Sequence, residues 1–228
     1  MSVRRRTLFI GDVHGCLDEY NELLERFDPR PHDTIVHVGD LIARGPDSMG
    51  VIRRVRDVGA LVVRGNHEER VLRWRASGGK TKMHPSHLQV AEALDASGWA
   101  WLESTPICLD FPEHDIRVIH AGVDPSITDI HQQSQETLLH IRTWGEPARP
   151  WAERYQGPPH IVFGHHAAAG LQLHRWATGL DTGCVYGGQL TGLVLGEGET
   201  VLPTAHRPQQ LLHVKAKRVY VSPEGSRP

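Results

Sequence analysis

The sequence predicts an α/β fold, because short apolar runs of β-strand character alternate with segments of helical periodicity. The first run, Leu8 to Ile10, precedes apolar side chains that share one helical face: Leu17, Tyr20, Leu23, Leu24 and Phe27. With 228 residues and 39% hydrophobic content, the chain can bury one sizeable core. We therefore expect a single domain over residues 1–221, followed by a disordered tail at 222–228.

Polar residues follow the ends of five predicted strands. After Leu8 to Ile10, the strands are predicted at Thr34 to Val38, Ala60 to Val63, Arg117 to Ile119 and His160 to Phe163. The residues that come shortly after them are, in the same order, Asp12, Asp40, Asn66, His120 and His165. Open α/β sheets bind ligands beyond the carboxyl ends of their strands, so these side chains are expected to share one site.

The remaining segments predict a capped helix, a helical insertion and a closing sheet. Asp47 or Ser48 can cap a helix that runs through Val58. Residues 70–106 have a mostly helical pattern with a break at 77–80, which indicates a small insertion beside the site. Short strands around Leu190 to Leu195 and Val219 to Val221 are expected to close the sheet.

Composition and charge narrow the class of function. The formal net charge of −2 and the isoelectric point near 6.8 do not favour nonspecific nucleic-acid binding. Cys16, Cys108 and Cys184 are an odd set without CxxC spacing, which predicts three reduced thiols rather than a disulfide framework or a thiolate zinc site. The apolar stretch Thr7 to Ile10 is too short for a secretory signal or a membrane span. We therefore expect a cytoplasmic protein with no membrane partner.

The residue types that follow the strands predict a metal centre. Carboxylates and imidazoles suit Mn²⁺, Fe²⁺, Co²⁺ or Zn²⁺, and one aspartate can bridge two such ions about 3.5–4 Å apart. Two ions can deprotonate a water and neutralise phosphate oxygens, so hydrolysis of a phosphoester or phosphoanhydride is the expected reaction. Each motif alone could be a turn with a capping aspartate, but an ordered set, each member after a strand, favours the metal site.

Several segments resemble the motifs of one family: Gly11-Asp12-Val13-His14-Gly15, Gly39-Asp40 with Arg44-Gly45, Gly65-Asn66-His67-Glu68, His120 and His165. They are similar to the calcineurin-like metallophosphoesterases of the phosphoprotein phosphatase type. The resemblance covers most of the chain and implies a β-sandwich flanked by helices, with a small helical insertion. It also implies two divalent metal ions, with Mn²⁺ expected. The implied ligands are Asp12, His14 and Asp40 for one ion, and Asp40, Asn66, His120 and His165 for the other, with Asp40 as the bridge.

The same resemblance implies the catalytic residues. His67 corresponds to the family's general acid, which protonates the leaving oxygen, and Arg44 to the arginine that clamps the phosphate. A second family arginine lies between the last two ligand histidines. We assign it to Arg142, although Arg149 and Arg154 lie in the same interval.

Position 43 departs from the pattern of the serine/threonine protein phosphatases. Those enzymes carry an aspartate there that supports the catalytic histidine, whereas this chain has Ala43. An orienting carboxylate fixes a histidine's tautomer and raises its basicity, so His67 is expected to be less basic or oriented by another group. The segments Gly39 to Ser48 and Leu180 to Thr191 instead resemble the symmetrical diadenosine tetraphosphatases.

Further residues are predicted to contact the substrate: His166, Tyr186, Lys80 and Lys82. A GHxH pattern would need a histidine at Ala167, so His166 is expected to touch substrate or a ligand rather than a metal. Lys80 and Lys82 lie in a glycine-containing loop and could reach distant phosphates. The helical arginines between Arg53 and Arg75 are interpreted as a solvated face, and the other histidines are left unassigned.

The expected reaction is symmetrical hydrolysis of a small dinucleoside polyphosphate, with diadenosine tetraphosphate giving two ADP. The alternative is a serine/threonine protein phosphatase or a broad phosphomonoesterase, which the metal ligands support equally but Ala43 disfavours. RNA 5′-polyphosphate ends present a similar anhydride chain and are a further candidate partner. A nonenzymatic binding protein is disfavoured because every expected ligand is present. The sequence leaves the nucleoside and the oligomeric state open.

Overall fold

The computed structural model describes residues 5–222. Within this range the strands are β1 (Arg6–Ile10), β2 (Thr34–His37), β3 (Leu61–Val62), β4 (Cys108–Phe111), β5 (Ile116–Ile119), β6 (Thr143–Trp144), β7 (Arg149–Pro150), β8 (His160–Phe163), β9 (Gln172–Leu173), β10 (Ala177–Gly179), β11 (Gln189–Gly196) and β12 (Leu211–Lys215). The α-helices are α1 (Leu17–Phe27), α2 (Ser48–Asp57), α3 (Asn66–Ala76), α4 (Pro85–Ala93), α5 (Ala96–Ser104) and α6 (Gln135–His140).

Most of these strands form two mixed sheets. The first has the order β12-β11-β1-β2-β3, and the second has the order β4-β5-β8-β10-β9. Strands β1, β2 and β3 are parallel, as are β5, β8 and β10, so their carboxyl ends lie at common edges. Parallel strands are covered on both faces, which explains why Leu8, Phe9 and Ile10 are all fully buried.

Alternation along β1 divides the core into two layers. Leu8 and Ile10 belong to a cluster with α1 and α2, whereas Phe9 faces the second sheet. There Phe9 meets Phe111 edge to face, with ring centres 5.2 Å apart. The α/β sandwich flanked by helices is therefore confirmed. Packing between the two sheets places the carboxyl ends of their parallel strands next to each other.

The helices follow the sequence-based expectation closely. Asp47 caps α2, because its side chain accepts a hydrogen bond of 2.7 Å from the backbone N–H of Gly50. The insertion contains α3, α4 and α5, with the predicted break between α3 and α4. Helix α3 begins at Asn66, four residues before the predicted start of the insertion. The first residue of the inserted helices is therefore itself a candidate site residue.

The carboxyl-terminal part differs from the prediction. Leu190 to Leu195 lies in β11, but the predicted strand at Val219 to Val221 is wrong, and the edge strand is β12 instead. The backbone N–H groups of Tyr220 and Val221 both donate to the carbonyl of Val185, at 3.0 and 3.1 Å, so the segment binds a turn rather than a strand. The tail predicted at 222–228 lies, apart from Ser222, outside the described residues. No helix among the described residues is both long and apolar enough to span a membrane.

Candidate active site

The loops after β1, β2, β5 and β8 and the start of α3 bring the predicted ligands together. Backbone hydrogen bonds tie the first two loops, since Val13 and His14 both donate to the Asp40 carbonyl, at 3.1 and 2.9 Å. His14, Asp40 and His165 have φ angles of 45°, 50° and 70°, in the left-handed region that non-glycine residues rarely adopt. Such strain persists only where the surrounding structure imposes it, and it is concentrated here at candidate ligands.

Asp40 lies at the centre of the site. Its Oδ2 atom is 3.6 Å from Nε2 of His14, 3.4 Å from Nε2 of His120 and 3.8 Å from Nε2 of His67. Metal–ligand distances of about 2.0–2.2 Å place two donors of one ion roughly 3–4 Å apart, and these separations match that spacing. Two groups of donor atoms form around it, one with His14 and with His67, which is expected to act as the acid rather than as a ligand, and one with His120 and His165. Asp40 belongs to both groups, as a bridging ligand must.

Backbone carbonyls fix the tautomers of two histidines. Nδ1 of His14 donates to the carbonyl of Ile42 at 3.0 Å, and Nδ1 of His120 donates to the carbonyl of Val38 at 2.9 Å. In the neutral form of each ring, Nε2 therefore carries the lone pair and faces Asp40, as metal coordination requires. Burial lowers the pKa of His14 to about 4, which leaves that imidazole neutral at pH 7.

Asp12 and Asn66 lie within the same arrangement. The carboxylate of Asp12 accepts from the backbone N–H of His165, with its oxygens at 3.2 and 3.0 Å. The Asn66 Oδ1 atom is 2.9 Å from Nε2 of His120 and 3.0 Å from Nδ1 of His165. All of these donors are oxygen or imidazole nitrogen, so the set fits Mn²⁺ and similar divalent ions.

An additional carboxylate, Asp181, lies in the segment Leu180 to Thr191, but it was not predicted to be among the charged groups of the metal site. Burial, together with the charges of Asp181 and Asp40, raises the pKa of Asp12 well above 3.8. Burial also raises the pKa of Asp181 to about 6. Three buried carboxylates this close repel one another, and bound cations would relieve that repulsion. The donor set and its charge therefore both fit a centre of divalent ions.

Glu68 holds the loop that carries Asp40. Its fully buried carboxylate accepts from the backbone N–H groups of Asp40 and Gly65 at one oxygen, both at 2.9 Å. Its other oxygen accepts from Leu41 at 2.9 Å and from Ile42 at 3.3 Å. The carboxylate thus joins the loop after β2 to the beginning of α3. The motif Gly65-Asn66-His67-Glu68 contains this residue, but no role was predicted for it.

His67 is positioned by aromatic contacts. Its ring meets the edge of His14 with centres 4.6 Å apart and stacks on His87 at 4.7 Å, with 18° between the planes. Position 43 is the buried Ala43, and Nδ1 of His67 has no hydrogen-bond partner within residues 5–222. Both ring nitrogens of His87 are also without a partner in the described chain. His87, which no sequence spacing singled out, thus occupies the supporting position behind His67.

A cavity of about 480 Å³ opens over these groups. Its lining includes Arg44, Arg142, His166 and Tyr186, together with several residues of the turn 181–188. Arg44 lies over the ring of Tyr186, with Cζ 5.4 Å from the ring centre. Neither Arg44 nor Arg142 forms an ion pair with any residue in the described part of the chain, so both guanidinium groups are free for an anion.

Other predicted contacts are not brought into this cavity. Arg149 and Arg154, the alternatives to Arg142, are absent from its lining. Lys80 and Lys82 are exposed in the segment between α3 and α4 and do not line it either. A role for these lysines at distant phosphates stays a prediction.

The model of the calcineurin-like phosphoesterase family matches residues 5–196 of the sequence, which is most of the chain. The chain belongs to this family. Members of the family use a dinuclear metal centre, and this chain has two groups of donor atoms around Asp40 that could hold metal ions. The protein is therefore a hydrolase that acts on phosphoester or phosphoanhydride bonds.

Individual family members resemble the chain over nearly its whole length. The asymmetrical bis(5′-nucleosyl)-tetraphosphatase PrpE of Halalkalibacterium halodurans is 32% identical, over 87% of this chain and 94% of its own. The symmetrical bis(5′-nucleosyl)-tetraphosphatase of Chromohalobacter salexigens is 30% identical, over 88% and 98%. Serine/threonine-protein phosphatase 1 of Salmonella typhimurium is 34% identical, over 82% and 90%. A crystal structure of "a putative diadenosine tetraphosphatase" superposes with a TM-score of 0.80 at 30% identity, covering 94% and 95% of the two chains.

Proposed function

We propose that the protein hydrolyses dinucleoside tetraphosphates and cuts diadenosine tetraphosphate symmetrically into two molecules of ADP. The observation that carries the proposal is the environment of His67, which has Ala43 where a supporting carboxylate would stand and His87 stacked on its ring. An imidazole without a carboxylate partner is a weaker base, so a smaller fraction of it carries the proton that a general acid donates. ADP is a far better leaving group than a serine alkoxide and needs less help from that acid.

The proposed metal centre uses the residues around Asp40. Asp12, His14 and Asp40 would hold one ion, and Asp40, Asn66, His120 and His165 would hold the other. When bound, two divalent ions lower the pKa of a water and neutralise phosphate charge. Manganese is the proposed ion, since the donors are oxygen and imidazole nitrogen without a thiolate.

The other side chains around the cavity have separate proposed roles in binding and proton transfer. Arg44 and Arg142 bind the non-bridging oxygens of the attacked phosphate, and no ion pair competes for either group among the described residues. Water forms a new bond to the inner phosphorus as the bond to the bridging oxygen breaks. The attacking water gives up one proton to solvent, and the protonated form of His67 gives its Nε2 proton to the departing oxygen of ADP, which leaves the imidazole neutral. His166 and Tyr186 line the same cavity and would contact the substrate beyond the reacting group.

The relatives also support a second candidate function. The similarity to serine/threonine-protein phosphatase 1 favours a phosphoprotein substrate, and an RNA 5′-polyphosphate end carries the same anhydride chain as the dinucleotide. We propose the small dinucleotide as the main substrate and the cytoplasm as the place of action. Initial rates on diadenosine tetraphosphate, a phosphoserine peptide and a tetraphosphate-capped RNA distinguish the three. A higher kcat/KM on the peptide than on diadenosine tetraphosphate would contradict the proposal and favour a serine/threonine protein phosphatase.

Metal dependence is tested on the same protein. Chelation should abolish turnover, and Mn²⁺ or Co²⁺ should restore it. Asp40→Asn should lose more activity than any other ligand substitution, because one carboxylate serves both ions. Asp110→Asn is a matched control, since Asp110 forms its ion pair with Arg117 on β5 rather than with the site. Full turnover by protein that metal analysis shows to be empty would contradict the proposed centre.

A further inference from the structure

A second cavity, of about 310 Å³, lies next to the first and is lined by Arg44, Gly45, Pro46, Arg218, Val219 and Tyr220. We propose that it binds the distal nucleotide of the substrate, meaning the nucleoside and outer phosphate that belong to the far half of the dinucleotide. This inference rests on the proposed function and names where the second half of the molecule is held. Its volume is at the lower end of the ~300–1,000 Å³ found for small-molecule sites.

The two cavities share one residue, Arg44. A chain of four phosphates that reacts in the first cavity can therefore pass Arg44 and continue into the second without leaving the protein surface. Tyr186, whose ring lies under the Arg44 guanidinium, also lines the first cavity. The shared arginine therefore borders both parts of the proposed binding path.

The second cavity carries uncompensated positive charge. Arg218 is exposed and forms no ion pair with any residue between 5 and 222, whereas the neighbouring Lys217 is paired with Asp18 at 2.9 Å. The lining residues include two arginines and no carboxylate. An arginine fork binds phosphate oxygens in pairs, so an anionic polyphosphate is the class of ligand that this charge favours.

An apolar surface lies beside the charge. Val219 is 60% exposed, although most large hydrophobic side chains in the described chain are covered. The ring of Tyr220 is adjacent, with the Arg218 guanidinium carbon 5.0 Å from its centre. Cation, aliphatic surface and aromatic ring together suit a nucleotide, whose base packs on apolar groups while its phosphate meets the arginine.

The wall of this cavity is held in place before any ligand arrives. The hydroxyl of Tyr220 donates to Oε1 of Glu19 at 2.8 Å, and the backbone N–H groups of Tyr220 and Val221 donate to Val185. The same Glu19 oxygen accepts from the backbone N–H of Lys217 at 2.8 Å. These bonds fix the segment that carries Arg218 and Val219, and a preformed wall lowers the entropy lost on binding.

The test compares Arg218→Gln with Arg175→Gln. Arg175 is also exposed and lies over an aromatic ring, that of Trp176 at 5.9 Å, but it lines neither cavity. Loss of a charged hydrogen bond to phosphate should raise KM for diadenosine tetraphosphate on the order of tenfold in Arg218→Gln, with kcat little changed. Hydrolysis of nitrophenyl phosphate, which has no distal nucleotide, should match wild type. Arg175→Gln should match wild type on both substrates.

Two outcomes would overturn the subsite. One is an unchanged KM for diadenosine tetraphosphate in Arg218→Gln, and the other is an equal loss on nitrophenyl phosphate, which would indicate a general effect on the fold. Inhibition of nitrophenyl phosphate hydrolysis by ADP gives a second measurement that does not need dinucleotide cleavage, and Arg218→Gln should weaken it. The two proposals can also fail separately. If ADP inhibits the wild-type protein more strongly than Arg218→Gln, but diadenosine tetraphosphate stays intact, the proposed function is wrong and the nucleotide subsite is still supported.

Discussion

Replacement of Glu68 by glutamine tests how the loop that carries Asp40 is held. The Glu68 carboxylate accepts four backbone hydrogen bonds, two at each oxygen, and it is fully buried. In Glu68→Gln one oxygen becomes an NH₂ group, which cannot accept. Whichever way the amide turns, two buried N–H groups lose their acceptor and face another donor.

The expected loss of stability follows from the number of backbone N–H groups that lose their acceptor. A buried donor without a partner costs about 1–3 kcal/mol, so Glu68→Gln should lower the free energy of unfolding by roughly 3 kcal/mol. Glu68→Ala removes all four acceptor contacts and should cost more, about 4 kcal/mol or above, which is a large part of a typical ~5–15 kcal/mol. Burial, with the charge of Asp40, raises the pKa of Glu68 to about 7. Measurement at pH 8 therefore keeps the wild-type carboxylate ionised.

Urea unfolding of the metal-free proteins at pH 8 measures the loss, and manganese titration measures its effect on the site. Glu69→Gln is the matched control, because Glu69 follows on the same helix but pairs with Arg64 and Arg73, at 3.1 and 2.8 Å. The ion pair with the half-exposed Arg73 contributes only about 0–1 kcal/mol, and neither Glu69 oxygen accepts from a backbone N–H in the described chain. We expect weaker manganese binding in Glu68→Gln and near-native binding in the control. A Glu68→Gln protein as stable as wild type would refute the account of this loop.

Three further substitutions probe the catalytic groups. His67→Asn should lower kcat by ~10²–10⁴ on alkyl phosphates at unchanged metal content and by much less on nitrophenyl phosphate, and an equal loss on both would contradict an acid role. His87→Leu should make the dependence of kcat on the leaving group similar to that of His67→Asn. His87→Phe keeps an aromatic ring against His67 and should stay near wild type. Identical kinetics in the two variants would show that stacking is not what positions His67. Arg44→Lys should lose nearly as much kcat/KM as Arg44→Ala, because a point charge cannot replace a bidentate fork, and near-native kinetics in the lysine variant would exclude the clamp.

The sequence predicted the parts of the fold that local patterns encode. Apolar runs marked the central strands, and Asp47 was identified as a cap because its side chain acts on the next turn of the same helix. Val219 to Val221 has the composition of a strand but binds Val185 through two backbone bonds to one carbonyl, a long-range contact that composition does not report. The edge strand of the first sheet is instead Leu211–Lys215, which pairs with β11.

The supporting groups of the site were less visible in the sequence. His87 is 20 residues from His67 and reaches it only because α3 and α4 fold back on each other, so no spacing rule applies. Cys16 and Cys184 are free thiols, as predicted, yet the fold brings them together beside Glu19. The nearby Cys16 thiol and burial raise the pKa of Cys184, which keeps it protonated and suits packing. That the expected ligands meet at one site could be predicted because each follows a strand, whereas these contacts depend on packing.

Product analysis in ¹⁸O-labelled water tests the central claim most directly. Diadenosine tetraphosphate, incubated briefly with the manganese-loaded protein, should give ADP as the first product, with one ¹⁸O atom in the terminal phosphate of half the molecules. AMP and ATP should be absent at early times, since the proposed attack at an inner phosphorus breaks the central bridge and expels ADP. Equal amounts of AMP and ATP would contradict symmetrical cleavage, and an intact dinucleotide beside rapid phosphopeptide hydrolysis would contradict the proposed substrate.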